Sequence, residues 1–467
     1  MAEAFFLHWK VSQPYVLHNK SESIHTLLSV EPNPAVLGNL GAGSSLPAHV
    51  IVLVDVSASM DYLVRFDPDA KLGAKILTEG QASRGVESNV PTRRQAACDV
   101  VTRLAESLGE DDCLTLVAFD DQAHVLANAV PGRSRGPLRA AVQRLAEVGG
   151  GGTSLGRGLQ AVRKYLHSGN KSAQTRKVIV LSDGEDQEPA LALAEAKQLG
   201  QIHGVPIVAF GTGECKVAFL TELAKSSLGG SFNHIRDEVD AGQLFAKVLS
   251  GQKNVQATGV VLRLWLSPEV HVSELYRTRP EILYVGDPQP DASNQVELRL
   301  EQMEKGKAYE FLFRCALPGR PAGQRLRLGK ASLEYDLPTL QRLREQSETN
   351  IVVEYTADEQ RARQRSGDVR RALTRAEVQR QVLYLQGKVD LLRQGRGSLV
   401  DRTEVANLLK VLIQKFEEFG DLATANQYRQ MQEEFRAGGT ISQEMLNRSL
   451  AASSVAEEIV VAQDIDF

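Results

Sequence analysis

The sequence predicts an α/β protein: a doubly wound, Rossmann-like sheet inserted into a β-sandwich and followed by a C-terminal α-helical region. Three observations carry this reading. Ile51-Val52-Leu53-Val54 is a continuous apolar run ending at Asp55, the pattern of a strand buried on both faces. From there to residue 251, strand-like and helix-like stretches alternate, as a sheet covered by helices requires. Period-two patterning flanks this region on both sides, and helical spacing replaces it from Asp358 onward.

The 467 residues exceed one core and imply about two to four domains. The expected division is residues 1–45 as N-terminal strands of the sandwich, 46–251 as the α/β domain, and 252–356 as the rest of the sandwich. Residues 357–450 then form helical hairpins and 451–467 a flexible acidic tail. A hydrophobic content of 42% with 24% charged residues is that of a soluble globular protein. A net charge of −4 argues against a nucleic-acid binder held by phosphate contacts. No apolar run reaches the ~20 residues that span a bilayer. Met1 to Lys10 has no basic start or long apolar stretch, so no signal peptide is expected and the expected location is cytoplasmic. Cys98, Cys113, Cys215 and Cys315 are scattered without metal-ligand spacing and read as free thiols of a reducing compartment.

Taken in order, 6–11 and 25–31 read as strands joined by a turn at 19–23. Two strands are not independently stable. Their expected partners are the period-two stretches 260–266, 281–285, 296–300, 308–314, 325–328 and 351–355, which makes the central domain an insertion. Inside it the sequence predicts helices at 93–108, 138–148, 155–167, 190–199, 217–225 and 239–249. Strands are predicted at 113–119, 178–181, 207–210 and 232–235, with 123–130 pairing at an edge as a hairpin. Residues 61–91, with Pro68, Gly73, Gly80, Gly85 and Pro91, form an aperiodic excursion. Further helices are expected at 368–393, 403–419, 422–435 and 441–450. Arg361, Arg363, Arg365, Arg370 and Arg371 cluster as a solvated helix face.

The chemistry lies at the strand ends. Asp55-Val56-Ser57-Ala58-Ser59 places one carboxylate and two hydroxyls at alternate positions just past a buried strand. Gly149-Gly150-Gly151-Gly152-Thr153 adds a hydroxyl on a glycine loop, and Lys177 to Leu181 is a second buried strand running into Ser182-Asp183. Oxygen-only ligands suit a hard divalent cation. In this order and separation the pieces resemble a von Willebrand factor type A domain, over roughly residues 46–251. They match its metal-ion-dependent adhesion site residue by residue: Asp55, Ser57, Ser59, Thr153 and Asp183. The resemblance implies bound Mg²⁺, with Mn²⁺ or Ca²⁺ as alternatives, and a protein partner whose Asp or Glu completes the coordination. The insertion into a sandwich is similar in architecture to the hybrid domain of integrin β subunits.

Enzyme motifs fare worse. Gly152-Thr153-Ser154-Leu155-Gly156 spells GxSxG, but a nucleophile elbow needs a strand running straight into the serine, and here glycines precede it. Gly211-Thr212-Gly213 lacks the third glycine of a dinucleotide fingerprint, and no phosphate-loop motif is present. The expected function is therefore a non-enzymatic, metal-dependent protein-interaction module, a scaffold in a multi-protein bacterial system. The alternative is a regulatory or accessory subunit of a separate ATPase or other enzyme.

Overall fold

The structure, a computed structural model, describes residues 2–38, 46–61, 92–166, 174–212, 215–235, 248, 254–280, 282–439, 441–442 and 445–446. The chain folds as two compact units, Ser45–Val255 and Met1–Ser44 with Gln256–Phe467. The excursion at 62–91, nearly all of the expected helix at 239–249, and the tail lie outside the described residues.

In chain order the strands are Phe5–Val11 (β1), Tyr15–Leu17 (β2), Glu22–Pro32 (β3), Ala48–Asp55 (β4), Cys113–Phe119 (β5), Ala123–Pro131 (β6), Thr175–Ser182 (β7), Ile207–Thr212 (β8) and Ser231–Ile235 (β9). They continue with Val255–Leu266 (β10), His271–Arg279 (β11), Leu283–Gly286 (β12), Gln295–Glu304 (β13), Tyr309–Leu317 (β14), Arg325–Leu337 (β15) and Arg342–Thr356 (β16). The helices used below are Arg93–Ser107 (α1), Arg135–Leu145 (α2), Leu155–Tyr165 (α3), Pro189–Lys197 (α4), Val217–Lys225 (α5), Gly367–Arg393 (α6), Leu399–Glu418 (α7) and Leu422–Gly438 (α8).

The Ser45–Val255 unit is built on a six-stranded sheet in the order β6-β5-β4-β7-β8-β9. Every neighbouring pair is parallel except β5 and β6, which form the edge hairpin. All eight residues of β4 are buried because helices cover both faces. Val50, Val52 and Val54 share a core with Val101 and Leu104 of α1 and Leu138 and Leu145 of α2. The alternate residues face α3, which comes close because it carries Gly158. A Cβ there would sit 3.0 Å from Leu53 Cδ2 and 3.3 Å from Phe119 Cβ. This packing fixes the C-terminal ends of β4 and β7 side by side, with Val54 opposite Leu181.

The second unit contains two five-stranded sheets, β1-β3-β14-β11-β12 and β13-β10-β15-β16-β2. Strands from the two ends of the chain interleave: β3 pairs antiparallel with both β1 and β14, and β2 pairs parallel with β16. The two sheets meet where the Phe5 and Tyr335 rings pack edge to face at 4.9 Å. There the Ser347 hydroxyl also donates to Phe5 O at 2.8 Å. Helix α6 lays Val369, Ala372 and Ala376 on Leu27, Tyr276 and Leu312 of the first sheet, so the helical region shares the sandwich's core. Helices α7 and α8 form a hairpin whose Phe416 and Tyr428 rings stack at 5.3 Å.

Three features depart from the sequence reading. Strand β2 has only three residues and follows Pro14, too short to show a period. Strand β11 was hidden because Glu274 adopts φ +51° and the pairing register shifts between Ser273 and Tyr276, which breaks the alternation. Strands β15 and β16 run much further than 325–328 and 351–355, as a long hairpin through Pro338–Leu340. Its polar stretch Glu345-Gln346-Ser347-Glu348-Thr349 gave no apolar signal.

Candidate metal site at the strand ends

Asp55 ends β4 and is fully buried. Both of its oxygens are satisfied from within the chain. Oδ1 accepts from the Ser57 N–H at 3.0 Å and from the Ser57 hydroxyl at 2.6 Å. Oδ2 accepts from the Ser182 hydroxyl at 2.7 Å. Burial pushes the Asp55 carboxyl up to about 6; hydrogen bonds from Ser57 and Ser182 oppose that rise, and the nearby Asp183 charge adds to it. The turn after β4 folds back so that the Ser57 and Ser59 hydroxyl oxygens lie 3.1 Å apart.

The glycine loop is stitched to this turn through its backbone. Gly150 N–H donates to Val56 O at 2.8 Å, and Ala58 N–H donates to Gly151 O at 3.2 Å. Gly149 makes the approach feasible: its φ is +97°, and a Cβ there would lie 2.3 Å from Val56 O. Thr153 follows, 7% exposed, its carbonyl accepting from Gln187 N–H at 2.9 Å. Its hydroxyl has no hydrogen bond among the described residues. Asp183 continues from β7, buried, with Oδ1 accepting from Glu185 N–H at 3.1 Å.

Several residues of this cluster were not singled out from the sequence. Arg93, first in α1, donates Nη1 to Asp183 Oδ2 at 2.8 Å. Arg94 Nη2 donates to Val56 O at 2.9 Å, and its guanidinium also reaches Val148 O and Asp61, which ties α1 to both loops. Thr92 sets where α1 starts: its hydroxyl accepts from Gln95 N–H while the Gln95 side chain accepts from Thr92 N–H. Asp120 flanks the loop. Burial raises its pKa, but hydrogen bonds from the Gln122 N–H, from His124 and from the Gly151 N–H outweigh that and leave it lowered. No local pattern announces the two arginines, which follow the excursion at the start of a helix. Ser182 had a signal, its place at the end of β7 beside Asp183.

The candidate donors are oxygen-only, two buried carboxylates at neighbouring strand ends with the hydroxyls of Ser57, Ser59 and the loop residue Thr153, and they suit a hard divalent cation. Among the described residues no group of three or more His, Cys, Asp or Glu could hold a metal. Ser154 of the GxSxG string follows a loop, not a strand, and its hydroxyl donates to Glu188 Oε2 at 2.8 Å. Among the described residues no helix is long and apolar enough to cross a membrane.

Residues 50–185 match the family model for the von Willebrand factor type A domain, a span that includes all five site residues. An uncharacterized protein from Synechocystis sp. is 24% identical over 300 residues, covering 63% of this chain. The chain in turn spans 62% of that curated relative's length. Among solved structures, a von Willebrand factor type A protein from Catenulispora acidiphila superposes with a TM-score of 0.74 at 17% identity, covering 97% of each chain. The ArnB paralog VWA2 from Sulfolobus acidocaldarius gives a TM-score of 0.59 at 15% identity, covering 97% of this chain and 99% of its own. At these identities the likenesses are of fold.

Proposed function

We propose, from the premise that the chain carries a von Willebrand factor type A domain, that it is a metal-dependent protein-interaction module and not an enzyme. The observation that supports this is the Asp55, Ser57 and Ser59 cluster at the C-terminal end of β4, bonded to the end of β7 and to the glycine loop that carries Thr153, in the usual ligand crevice of an open α/β sheet. The three hydroxyls would hold a Mg²⁺ ion directly. Asp55 orients the Ser57 hydroxyl, and Asp55 and Asp183 would together supply negative charge from behind the hydroxyls. A bound Mg²⁺ held mainly by neutral hydroxyls keeps its charge largely uncompensated and offers a position to a carboxylate oxygen. The ligand is then an Asp or Glu on a partner protein, and the rest of the chain works as a scaffold.

Thermal unfolding of the full chain tests the reading. Millimolar Mg²⁺ or Mn²⁺ is expected to raise the melting temperature above its value in EDTA, and Asp55→Ala to remove that rise while the protein still folds. Identical melting in EDTA and Mg²⁺ would leave the cluster as a hydrogen-bonded strand terminus with no bound ion.

A further inference from the structure

We propose that Arg93 is a counter-cation built into the site. In the metal-free protein its guanidinium neutralises Asp183, and a divalent cation binds only in competition with it. The inference rests on the metal reading above and adds the regulation of that site.

The Asp183 side chain is 1% exposed and that of Arg93 15% exposed, so the pair at 2.8 Å is largely withdrawn from water. A carboxylate this buried is costly without a positive partner. Arg93 supplies that partner from the chain. A divalent ion beside Ser57 and Thr153 would be a second, stronger claimant on the same negative charge. At short range and low dielectric, guanidinium and ion repel each other.

Arg93 is also the arginine free to yield. Among the described residues its guanidinium makes one ion pair, to Asp183. Arg94, next in the chain, is by contrast pinned to Val56 O, Val148 O and Asp61. The reciprocal cap between Thr92 and Gln95 holds the start of α1 without using the Arg93 side chain. The guanidinium can therefore swing away while the helix stays in place. Metal affinity is thereby set below what the oxygens alone would give, and the metal-free protein remains folded.

The test uses the full chain. Mn²⁺ is titrated by calorimetry into wild type, Arg93→Gln and Arg93→Lys. Urea unfolding in EDTA is measured for Arg93→Gln, Asp183→Asn and the double variant. Arg93→Gln is expected to bind Mn²⁺ about 10-fold tighter than wild type, within the usual span of such couplings. Arg93→Lys, which keeps the charge, is expected to stay near wild type. The double-mutant cycle in EDTA is expected to show favourable coupling between the two residues. Equal or weaker Mn²⁺ binding by Arg93→Gln overturns the competition and leaves the metal reading standing. Zero coupling in EDTA overturns the ion pair whether or not metal binds. If no protein in the series binds Mn²⁺, the metal reading fails and the competition falls with it.

Discussion

The Ser182 hydroxyl donates to Asp55 Oδ2 at 2.7 Å, joining residues 127 positions apart at the ends of adjacent parallel strands. This bond makes β7 part of the Asp55 environment as much as the residues that follow β4. Ser182→Ala is expected to leave that oxygen buried without its donor, at a cost of about 1–3 kcal/mol. Urea unfolding in EDTA measures it. A loss near zero would mean that the carboxyl finds another partner, and that the strand-to-strand bond is incidental.

Gly149 governs how closely the glycine loop approaches the turn after β4. Its φ of +97° disfavours any side chain, and a Cβ would meet Val56 O at 2.3 Å. Gly149→Ala is expected to destabilise the domain by about 1–3 kcal/mol and to weaken Mn²⁺ binding by displacing Thr153. Gly150 offers a control: its φ is similar at +105°, but its Cβ position is open. Gly150→Ala carries the backbone strain alone and is expected to leave Mn²⁺ binding much less changed. Equal losses of binding in both variants would mean that the contact at Val56 does not position the loop.

Much of this is legible in the sequence alone, for a physical reason. Strands buried on both faces, such as β4 and β7, carry unbroken apolar runs, Ile51 to Val54 and Val178 to Leu181, and the residues that end them stand out. What stayed hidden was set by partners distant in sequence. Arg93 gains its role only because α1 starts beside the end of β7, a placement that no local spacing encodes. Strand β11 was lost to a bulge at Glu274, and much of β16 is polar because it is only partly covered. The packing of α6 on the first sheet was equally unreadable, since an apolar helix face does not name what it packs against.

His49 gives the α/β unit a pH dependence independent of metal. It is buried on β4 with its Nε2 2.9 Å from the Thr115 hydroxyl. Burial first, and then the charge of Arg176, pull its pKa down from 6.5 to about 4. The unfolded chain takes up the proton first as pH falls, so stability present above pH 6.5 is lost progressively down to about pH 4. The size of the effect is about 3 kcal/mol at most. Asp55, with its pKa raised, acts in the opposite sense below pH 6. The informative quantity is therefore the difference between wild type and His49→Gln in EDTA. The variant's stability should decline less steeply between pH 6.5 and 4. Parallel curves would show that His49 is not buried in its neutral form.

The sandwich makes the strictest demand on the chain, because its first sheet cannot be assembled from one side of the insertion. Strand β3 lies between β1 and β14, so removing residues 1–38 leaves β14 with an unpaired edge. It also takes Leu27 from beneath α6 and Phe5 from beside Tyr335. Truncating Phe5 alone to Ala is expected to cost about 3–5 kcal/mol, the usual range for a buried aromatic. Losing all three strands should exceed the stability of an ordinary domain, about 5–15 kcal/mol. Residues 46–254, whose sheet is complete in itself, are expected to unfold cooperatively when expressed alone. Residues 256–467 alone are expected to lack near-UV circular dichroism and to bind a hydrophobic dye, and a peptide of residues 1–38 added in trans should restore order. A well-dispersed amide spectrum from 256–467 without the peptide would show that the N-terminal strands decorate a sandwich already able to stand without them.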